Sequence, residues 1–574
     1  MSIKIIRRSI SQTGKFDNLH PVLERIYAAR DIKNQYELDY GLAGLINFGE
    51  LSGIESAVAL LVDALAQEQR ILIVADFDAD GATSCALAVR GLRAMGAKDV
   101  RYVVPNRFEY GYGLTPEIVE VAARENPDLI ITVDNGIASN EGVAAAKKLG
   151  IKVLVTDHHL PGDQLPDADA IVNPNQPNDV FPSKSLAGVG VMFYVLMALR
   201  SKLREIGWFE QQKISDPNLA QWLDIVALGT VADVVPLDRN NRILVSQGLA
   251  RIRKSAGCVG IRAISEVAKR DFQNLTSTDL GFAIGPRLNA AGRLDDMSLG
   301  IECLLSDDQQ KAKQLAIQLD QLNHTRREIG DQMLEEAVQI MGKLDLDNNA
   351  IPFGLCLHDP DWHQGVIGIL ASRIKEQHHR PVIVFATVEE GELKGSARSV
   401  NGVHIRDVLD AVATQNPHLI NKFGGHAMAA GLTLAPEHYE DFKQAFDWEV
   451  RKHLNKEDMQ NVIKSDGELS ADQITIKLAE QLRFAGPWGQ AFPEPVFDGV
   501  FIVENARIVA EKHLKVLLRI PDSETLVDGI AFNITNHDWP NNVSKVEVAY
   551  QLDLNEFRGN LNVQMLIRHI YPIG

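Results

Sequence analysis

Four short stretches of the chain concentrate carboxylates and imidazoles: Asp76-Phe-Asp78-Ala-Asp80-Gly81, Asp134-Asn-Gly136, Asp157-His158-His159 and Thr230-Val-Ala-Asp233. Side chains of these two kinds, brought together, bind divalent cations or move protons. So many carboxylates in one place repel one another and raise each other's pKa. A divalent cation removes the conflict. An oxygen-rich set with few imidazoles and no thiolate suits Mg²⁺ or Mn²⁺. In Asp157-His158-His159 one ring can bind metal while the other touches a substrate phosphate or serves as an acid.

The elements that must position these groups are legible nearby. The first three stretches each follow a hydrophobic run, Ile71–Val74, Leu129–Val133 and Val153–Val155, which reads as a buried parallel strand. Ligands of an open parallel sheet bind beyond the carboxyl ends of its strands, so three strands deliver acids and imidazoles to one edge. Asp76, Asp78 and Asp80 alternate, which puts them on one face while the chain stays extended; Gly81 then allows a tight exit into a helix. Helix capping would need one acid, not three. Asp134-Asn-Gly136 alone is ordinary turn chemistry, and its place after a buried strand is what singles it out. Asp233 closes Ile225–Ala232, an apolar run that reads equally as strand or helix.

At 574 residues the chain predicts about three or four domains. The fold class is α/β. Residues 1–50 read as a mixed leader and 51–305 as a doubly wound parallel-sheet domain, strands alternating with helices. Residues 306–345 carry Leu315, Leu319, Leu322, Ile329, Met333 and Ile340 at helical spacing, a connecting helix, with a free-standing coiled coil the plainer alternative that Arg326 in the seam weakens. A helix over 306–342 would span roughly 55 Å. Residues 346–455 form a second, glycine-rich α/β unit, and 465–574 carry five β segments that fit a small barrel of the OB type, although composition alone equally allows another five-stranded barrel.

Composition limits the reading further. The net charge of −18, from 58 basic and 76 acidic residues, argues against broad duplex binding, although a channel needs only local positive charge. No uninterrupted apolar run reaches membrane-spanning length, and the basic start, Met1-Ser-Ile-Lys-Ile-Ile-Arg-Arg, lacks the apolar stretch of a signal peptide. Cys85, Cys258, Cys303 and Cys356 are scattered, as expected for reduced core thiols in the cytoplasm.

In order along the chain, the acidic stretches are joined by Gly285-Pro-Arg287-Leu-Asn289-Ala-Ala-Gly292-Arg293, Trp362-His363-Gln-Gly365-Val-Ile-Gly368-Ile-Leu-Ala-Ser372-Arg373, Gly395-Ser396-Ala-Arg398-Ser399 and Gly424-Gly425-His426-Ala-Met-Ala429-Ala-Gly431. Together they resemble the DHH phosphoesterase superfamily and, within it, the bacterial single-strand-specific exonucleases, over nearly the whole chain. The resemblance implies a second, DHH-associated domain facing the acidic site, a C-terminal OB-fold, and no further C-terminal domain.

The resemblance also implies a two-metal phosphodiesterase that degrades single-stranded DNA from the 5′ end to 5′-mononucleotides in repair and recombination, with two ions, Mn²⁺ or Mg²⁺. Asp76, Asp78, Asp80, Asp134, His158 and Asp233 are the implied ligands, with Asp134 bridging. His159, Asp134 and Asp157 are the implied catalytic set, with His159 on the scissile phosphate. Arg287, Asn289, Arg293, His363, Arg373, Ser396, Arg398, Gly424, Gly425 and His426 are the implied contacts to DNA or its phosphates. For the arginines, ion pairs between lobes are the plainer alternative. Phe501 and Phe532 are aromatics of the barrel that could stack on bases, with core packing the plainer role. Expected partners are single-stranded DNA, single-stranded-DNA-binding protein and a helicase, with the chain a cytoplasmic monomer and no membrane involved. Two rival functions follow: another DHH phosphodiesterase acting on short oligonucleotides or cyclic dinucleotides, which would ordinarily lack the barrel, and a non-catalytic single-strand-binding scaffold, which would ordinarily lose the metal acids.

Overall fold

A computed structural model describes every residue except 1–2, 11–13, 15, 106–109, 111, 256, 348–351, 389–390, 455–461, 535–538, 541–542, 558 and 574, and the side chains of 343–347 and 557. The first two residues of the expected leader, and the ends expected for the second domain near 348–351 and 455, lie outside the described residues. The chain divides into two compact units, Arg7–Leu322 with Lys464–Gly574, and Met1–Ile6 with Asn323–Ile463.

The larger unit begins after β1 (Lys4–Arg7) with α1 (Pro21–Ala28) and α2 (Ile54–Ala66). A sheet follows, made of β2 (Arg70–Ala75), β3 (Asp99–Val103), β4 (Leu129–Val133), β5 (Lys152–Thr156) and β6 (Ala170–Val172) in the order β3-β2-β4-β5-β6. Every pairing in it is parallel. The crossovers are α3 (Ala79–Ala94), α4 (Pro116–Ala123) and α5 (Asn140–Lys148). The central strands are apolar at consecutive positions because both faces are covered. Ile71, Ile73, Ile131 and Leu154 join one buried cluster with residues of α3 and of the helix Gly188–Glu205, while Leu72, Val74, Ile130 and Val153 join another with Ile118 and Val143 of α4 and α5.

After the sheet the chain of the larger unit continues as helices up to the connector: α6 (Gly188–Glu205), α7 (Trp208–Gln212), α8 (Leu223–Ala232), α9 (Arg239–Arg253), α10 (Val259–Val267), α11 (Ser277–Asp279), α12 (Gly285–Leu294) and α13 (Ser298–Leu305). The ambiguous run before Asp233 is therefore the helix α8. A five-residue π-helical segment, Leu280–Ile284, enters α12 directly.

The connecting helix, α14, runs from Gln309 to Asp347. Asp308 caps it, its carboxylate accepting from the amides of Gln310 and Lys311. In the smaller unit, β7 (Leu355–Asp359), β8 (Val382–Thr387), β9 (Leu393–Arg398), β10 (Lys422–Gly425) and β11 (Ala429–Leu434) make a mixed sheet in the order β10-β11-β9-β8-β7. It is accompanied by α15 (Ile367–His378), α16 (Ile405–Gln415) and α17 (Tyr439–Arg451).

The chain returns to the larger unit through β12 (Val462–Ser465), which pairs with β1, and α18 (Ile476–Phe484). It ends in a closed barrel of β13 (Phe497–Val509), β14 (His513–Arg519), β15 (Leu526–Phe532), β16 (Lys545–Phe557) and β17 (Asn560–Pro572). The barrel itself starts at Phe497; the stretch before it packs on the leader. Tyr27 of α1 stacks on Trp488 and Phe492, and the Arg30 guanidinium pairs with the buried Asp466 carboxylate at 2.8 Å.

Candidate metal centre

The carboxyl ends of β2, β4 and β5 lie side by side, and each releases polar residues at the same edge. The extended run expected for Asp76, Asp78 and Asp80 does not occur. β2 stops at Ala75, Asp78 is the N-cap of α3, and Asp80 already lies in its first turn. Asp78 Oδ1 accepts from the amides of Asp80 at 2.8 Å and Gly81 at 3.0 Å, so one acid does serve as a cap. Gly81 is helical, and it is required by close approach: a Cβ there would lie 2.4 Å from the Asp76 carbonyl oxygen.

Asp80 is buried, and its two oxygens accept from the first amides of α6, Gly188 at 2.6 Å and Val189 at 3.0 Å. A helix N-terminus favours a carboxylate. Burial, and then the charge of Asp78, nevertheless push its pKa up to about 7. Asp134 follows β4 with φ at +62°, a left-handed conformation that few residues other than Gly, Asn and Asp adopt readily. It is buried, and desolvation followed by the charges of Asp80, Asp78, Asp76 and Asp233 raise it well above the ordinary carboxylate range. Asp233, just past the end of α8, is raised in the same way by burial and then by Asp80 and Asp78. Its successor Val234 is exposed and has φ at +62°, strain of a kind that gathers at functional sites.

His158 Nε2 lies 3.1 Å from Asp134 Oδ1, 3.4 Å from Asp233 Oδ2 and 4.0 Å from Asp80 Oδ2. The neighbouring ring turns elsewhere: His159 Nδ1 is 2.7 Å from Asp157 Oδ1 and 4.0 Å from Asp134 Oδ1. Burial lowers the His159 pKa, but its bond to Asp157 and the surrounding acids win, lifting it to about 9. Asp157 is fully committed to local bonds. Its oxygens accept from the amides of His158, His159 and Ile137 as well as facing the His159 ring. Burial pushes its carboxyl up, yet the His159 bond and the charges of both histidines leave it below the usual value.

Ligand atoms fall into three overlapping groups, each within 4.8 Å of one another: Asp76, Asp78 and Asp134; Asp80, His158 and Asp233; Asp134, His158 and His159. Asp134 and His158 each belong to two groups. Asp134 Oδ1 is buried and accepts no hydrogen bond among the described residues. Carboxylates raised by burial and then by one another's charge, a buried oxygen that accepts no hydrogen bond and an oxygen-rich donor set all fit Mn²⁺ or Mg²⁺.

Sequence reading missed Tyr112. Its hydroxyl donates to the Asp134 carbonyl at 3.2 Å and lies 3.1 Å from His159 Nδ1, and its ring stands edge-on to both His159 and Phe77. It comes from the loop after β3, where no spacing marks it. Of the two barrel aromatics, Phe501 is buried in the core, while Phe532 is exposed and stands edge-on to His513.

The candidate phosphate contacts divide. Arg287 is engaged with α14, its Nη2 2.7 Å from Asp320 Oδ1, and also donates to the Ala283 carbonyl. Asn289 Oδ1 accepts from the Ala79 amide at 2.8 Å. Arg293 sits half-buried in the last turn of α12. In the smaller unit, Arg373 pairs with Asp331 of α14 at 2.6 Å, and His363 Nδ1 accepts from the Gly365 amide, its pKa lowered by burial. Ser396, Arg398, Gly424 and Gly425 do come together. The register sets Ser396 opposite Gly431, and Gly431 opposite Gly424, a row of small residues across three strands. Open space lies over Gly424, and a Cβ on Gly368 of α15 would meet Arg398 Nη2 and Ser396 Oγ at 2.9 Å. The His426 amide bonds to the Ala429 carbonyl at the end of the same hairpin.

Comparison with known proteins places these features in a lineage. The DHH family N-terminal domain matches residues 70–230, the DHHA1 domain 350–452 and the RecJ OB domain 465–569. A relative from Dickeya dadantii, the single-stranded-DNA-specific exonuclease RecJ, is 54% identical over 99% of both chains. The Escherichia coli protein of the same name is 52% identical over 100% of this chain and 99% of its own. The crystal structure of RecJ in complex with Mn²⁺ from Thermus thermophilus superposes with a TM-score of 0.79 at 31% identity, covering 97% of this chain and 76% of that one. The Mg²⁺ complex from the same organism gives 0.73 at 29%, covering 97% and 75%.

Proposed function

The chain belongs to the RecJ family of single-stranded-DNA-specific exonucleases, and on that premise we propose that it hydrolyses single-stranded DNA from the 5′ end, releasing 5′-mononucleotides, in DNA repair and recombination. The observation that carries this reading is the convergence of Asp134 and His158, each shared between two groups of ligand atoms, at the ends of adjacent parallel strands. Residues that belong to two groups at once suit a two-ion centre.

Asp76, Asp78 and Asp134 would hold one ion, and Asp80, His158, Asp233 and Asp134 the other. Bound there, Mn²⁺ or Mg²⁺ supplies Lewis acidity at the phosphate and lowers the pKa of water. The chain's own groups do the rest. His159, kept protonated by Asp157, presents a cation and a proton donor to the scissile phosphate. Asp157 acts by fixing that ring and its neighbour's backbone. Tyr112, its hydroxyl 3.1 Å from the same Nδ1, further limits the rotation of His159. In the smaller unit, the open backbone at Gly424 and the Ser396 and Arg398 side chains form a surface that accepts phosphate oxygens.

The division of labour follows the chain: leader over 1–50, catalytic domain over 51–305, connecting helix over 306–345, DHH-associated domain over 346–455 and OB domain over 465–574. A single-stranded-DNA-binding protein and a helicase suit such an enzyme as partners, because they expose the strand that it consumes. One copy of the chain contains the whole metal centre, which fits a monomer. No single helix among the described residues is long and apolar enough to cross a membrane, and DNA as substrate fits the cytoplasm.

Time courses on 5′-labelled and 3′-labelled strands, with and without Mn²⁺, test the reading. The 5′ label should leave first as a mononucleotide. A circular single strand should survive, and blunt duplex should be cut little, given the net charge of −18. Efficient cutting of the circle would overturn the exonuclease reading.

A further inference from the structure

Asn289 was expected on the DNA path, yet its side-chain oxygen is spent on the protein. Asn289 Oδ1 accepts from the amide of Ala79 at 2.8 Å, the first residue of α3. The first amides of a helix have no partner within it. Here Asp78 satisfies two of them, those of Asp80 and Gly81, and Asn289 satisfies a third from a different helix. The α3 N-terminus is thus capped jointly by a candidate metal ligand and by a residue more than two hundred positions later in the chain.

A second contact fixes the same loop. Gly292, one turn after Asn289 on α12, has the Phe77 carbonyl oxygen where its Cβ would be, 1.8 Å away. The backbone of α12 therefore lies directly on the turn that carries Asp76 and Asp78. Two residues of one helix brace that turn, one by a hydrogen bond and one by the absence of a side chain.

We infer that Asn289 and Gly292 are positioning residues that hold the Asp76–Asp80 turn in its metal-binding shape, and that Asn289 is not a DNA contact. This rests on the reading of Asp76, Asp78 and Asp80 as metal ligands. The physical reason is competition for oxygen. Asp78 already gives Oδ1 to two amides. Without Asn289 the Ala79 amide loses its acceptor and competes for the Asp78 oxygen that already serves the next two amides, an oxygen a cation needs. Supporting partners of this kind commonly alter metal affinity by about 10- to 100-fold when removed.

Calorimetric titration of Mn²⁺ into the full-length protein tests this, alongside binding of a 5′-phosphorylated oligothymidylate in EDTA and thermal melting. Asn289→Ala should weaken Mn²⁺ binding by about 10-fold or more, leave oligothymidylate affinity in EDTA unchanged, and recover nuclease activity as Mn²⁺ is raised. Asn289→Asp keeps the acceptor, so its Mn²⁺ affinity should stay close to wild type. Gly292→Ala should weaken Mn²⁺ binding through the other contact. The inference fails if Asn289→Ala and Asn289→Asp both lose oligothymidylate affinity while Mn²⁺ binding is intact, since that is the behaviour of a phosphate contact. It also fails if the folded variants bind Mn²⁺ like wild type and only melt earlier. If the wild-type protein binds Mn²⁺ and the variants weaken it, but no form digests single strands, the positioning role stands and the nuclease reading falls.

Discussion

His158 Nε2 lies 3.1 Å from Asp134 Oδ1, although the two residues leave different strands. Asp134 is also buried among like charges: burial first, and then Asp80, Asp78, Asp76 and Asp233, raise its pKa. An uncompensated buried carboxylate costs stability and is kept only where a cation or a reaction needs it.

Asp134→Asn is the cleanest perturbation of this group, because Asn tolerates the left-handed backbone there. Single-strand digestion should fall by about 1,000-fold or more, about 4 kcal/mol of transition-state stabilisation. The metal-free variant should melt at a higher temperature than wild type, since the repulsion is gone. Thermal melts in EDTA and digestion rates in Mn²⁺ check both halves. Activity above about a tenth of wild type, a loss under roughly 1.4 kcal/mol, would rule out the bridging role.

The two rings should separate in their effects. His158 faces three candidate ligands, whereas His159 is held by Asp157 and Tyr112. His158→Ala should weaken Mn²⁺ binding in calorimetry. His159→Ala should leave it nearly intact and slow turnover, with kcat falling more than KM rises. Equal loss of metal in both variants would assign the third group, Asp134 with both rings, to the metal instead.

Much of the site's placement was readable because buried parallel strands carry apolar residues at consecutive positions, so the acids and imidazoles that follow Ala75, Val133 and Thr156 mark the ligand edge. Sequence periodicity cannot show where a strand ends by turning into a cap, which is why Asp78 and Asp80 were expected on one extended run, whereas Asp78 caps α3 and Asp80 lies in its first turn. Asp233 follows a helix in which Leu223–Thr230 are all buried, and a run buried on every face has no period to read. Tyr112 and Asn289 act through contacts with residues far away in the chain, Tyr112 from an unmarked loop and Asn289 inside a motif whose chemistry suggested a phosphate. Arg287 and Arg373 show the same limit. A guanidinium that suits a phosphate suits an aspartate equally, and Asp320 and Asp331 are the partners present.

Acidity at the centre makes a pH prediction with a definite sign. Asp80 is raised from 3.8 to about 7, so the folded metal-free protein binds its proton more tightly than the unfolded chain does. Stability in EDTA should therefore fall as pH rises through that window. His159, raised from 6.5 to about 9, adds to the fall: its stabilising charge is fully present below pH 6.5 and lost towards 9. Saturating Mn²⁺ should offset the fall, because the cation takes the place of the protons, and its own affinity should rise with pH. Denaturant titrations across this range, with EDTA and with Mn²⁺, measure the effect. A metal-free protein that gains stability from its acid cluster as pH rises would show that these carboxyls are not raised.

Arg373 supplies the last test, because its guanidinium is already paired. Asp331 holds it at 2.6 Å, with the Gly330 carbonyl also within reach. If Arg373 receives a phosphate, DNA must compete with that carboxylate. Arg373→Ala should then lower single-strand affinity and flatten its dependence on salt by about one phosphate contact. Asp331→Asn should do the reverse, raising affinity by freeing the guanidinium while the salt dependence stays as steep. The pair is exposed on the Asp331 side, and exposed pairs contribute about 0–1 kcal/mol, so neither change should unfold the protein. Fluorescence anisotropy of a labelled single strand in EDTA, repeated over a series of salt concentrations, reads both variants. If Arg373→Ala binds DNA like wild type at every salt concentration, the arginine is a tether between α15 and α14 and has no part in the DNA path.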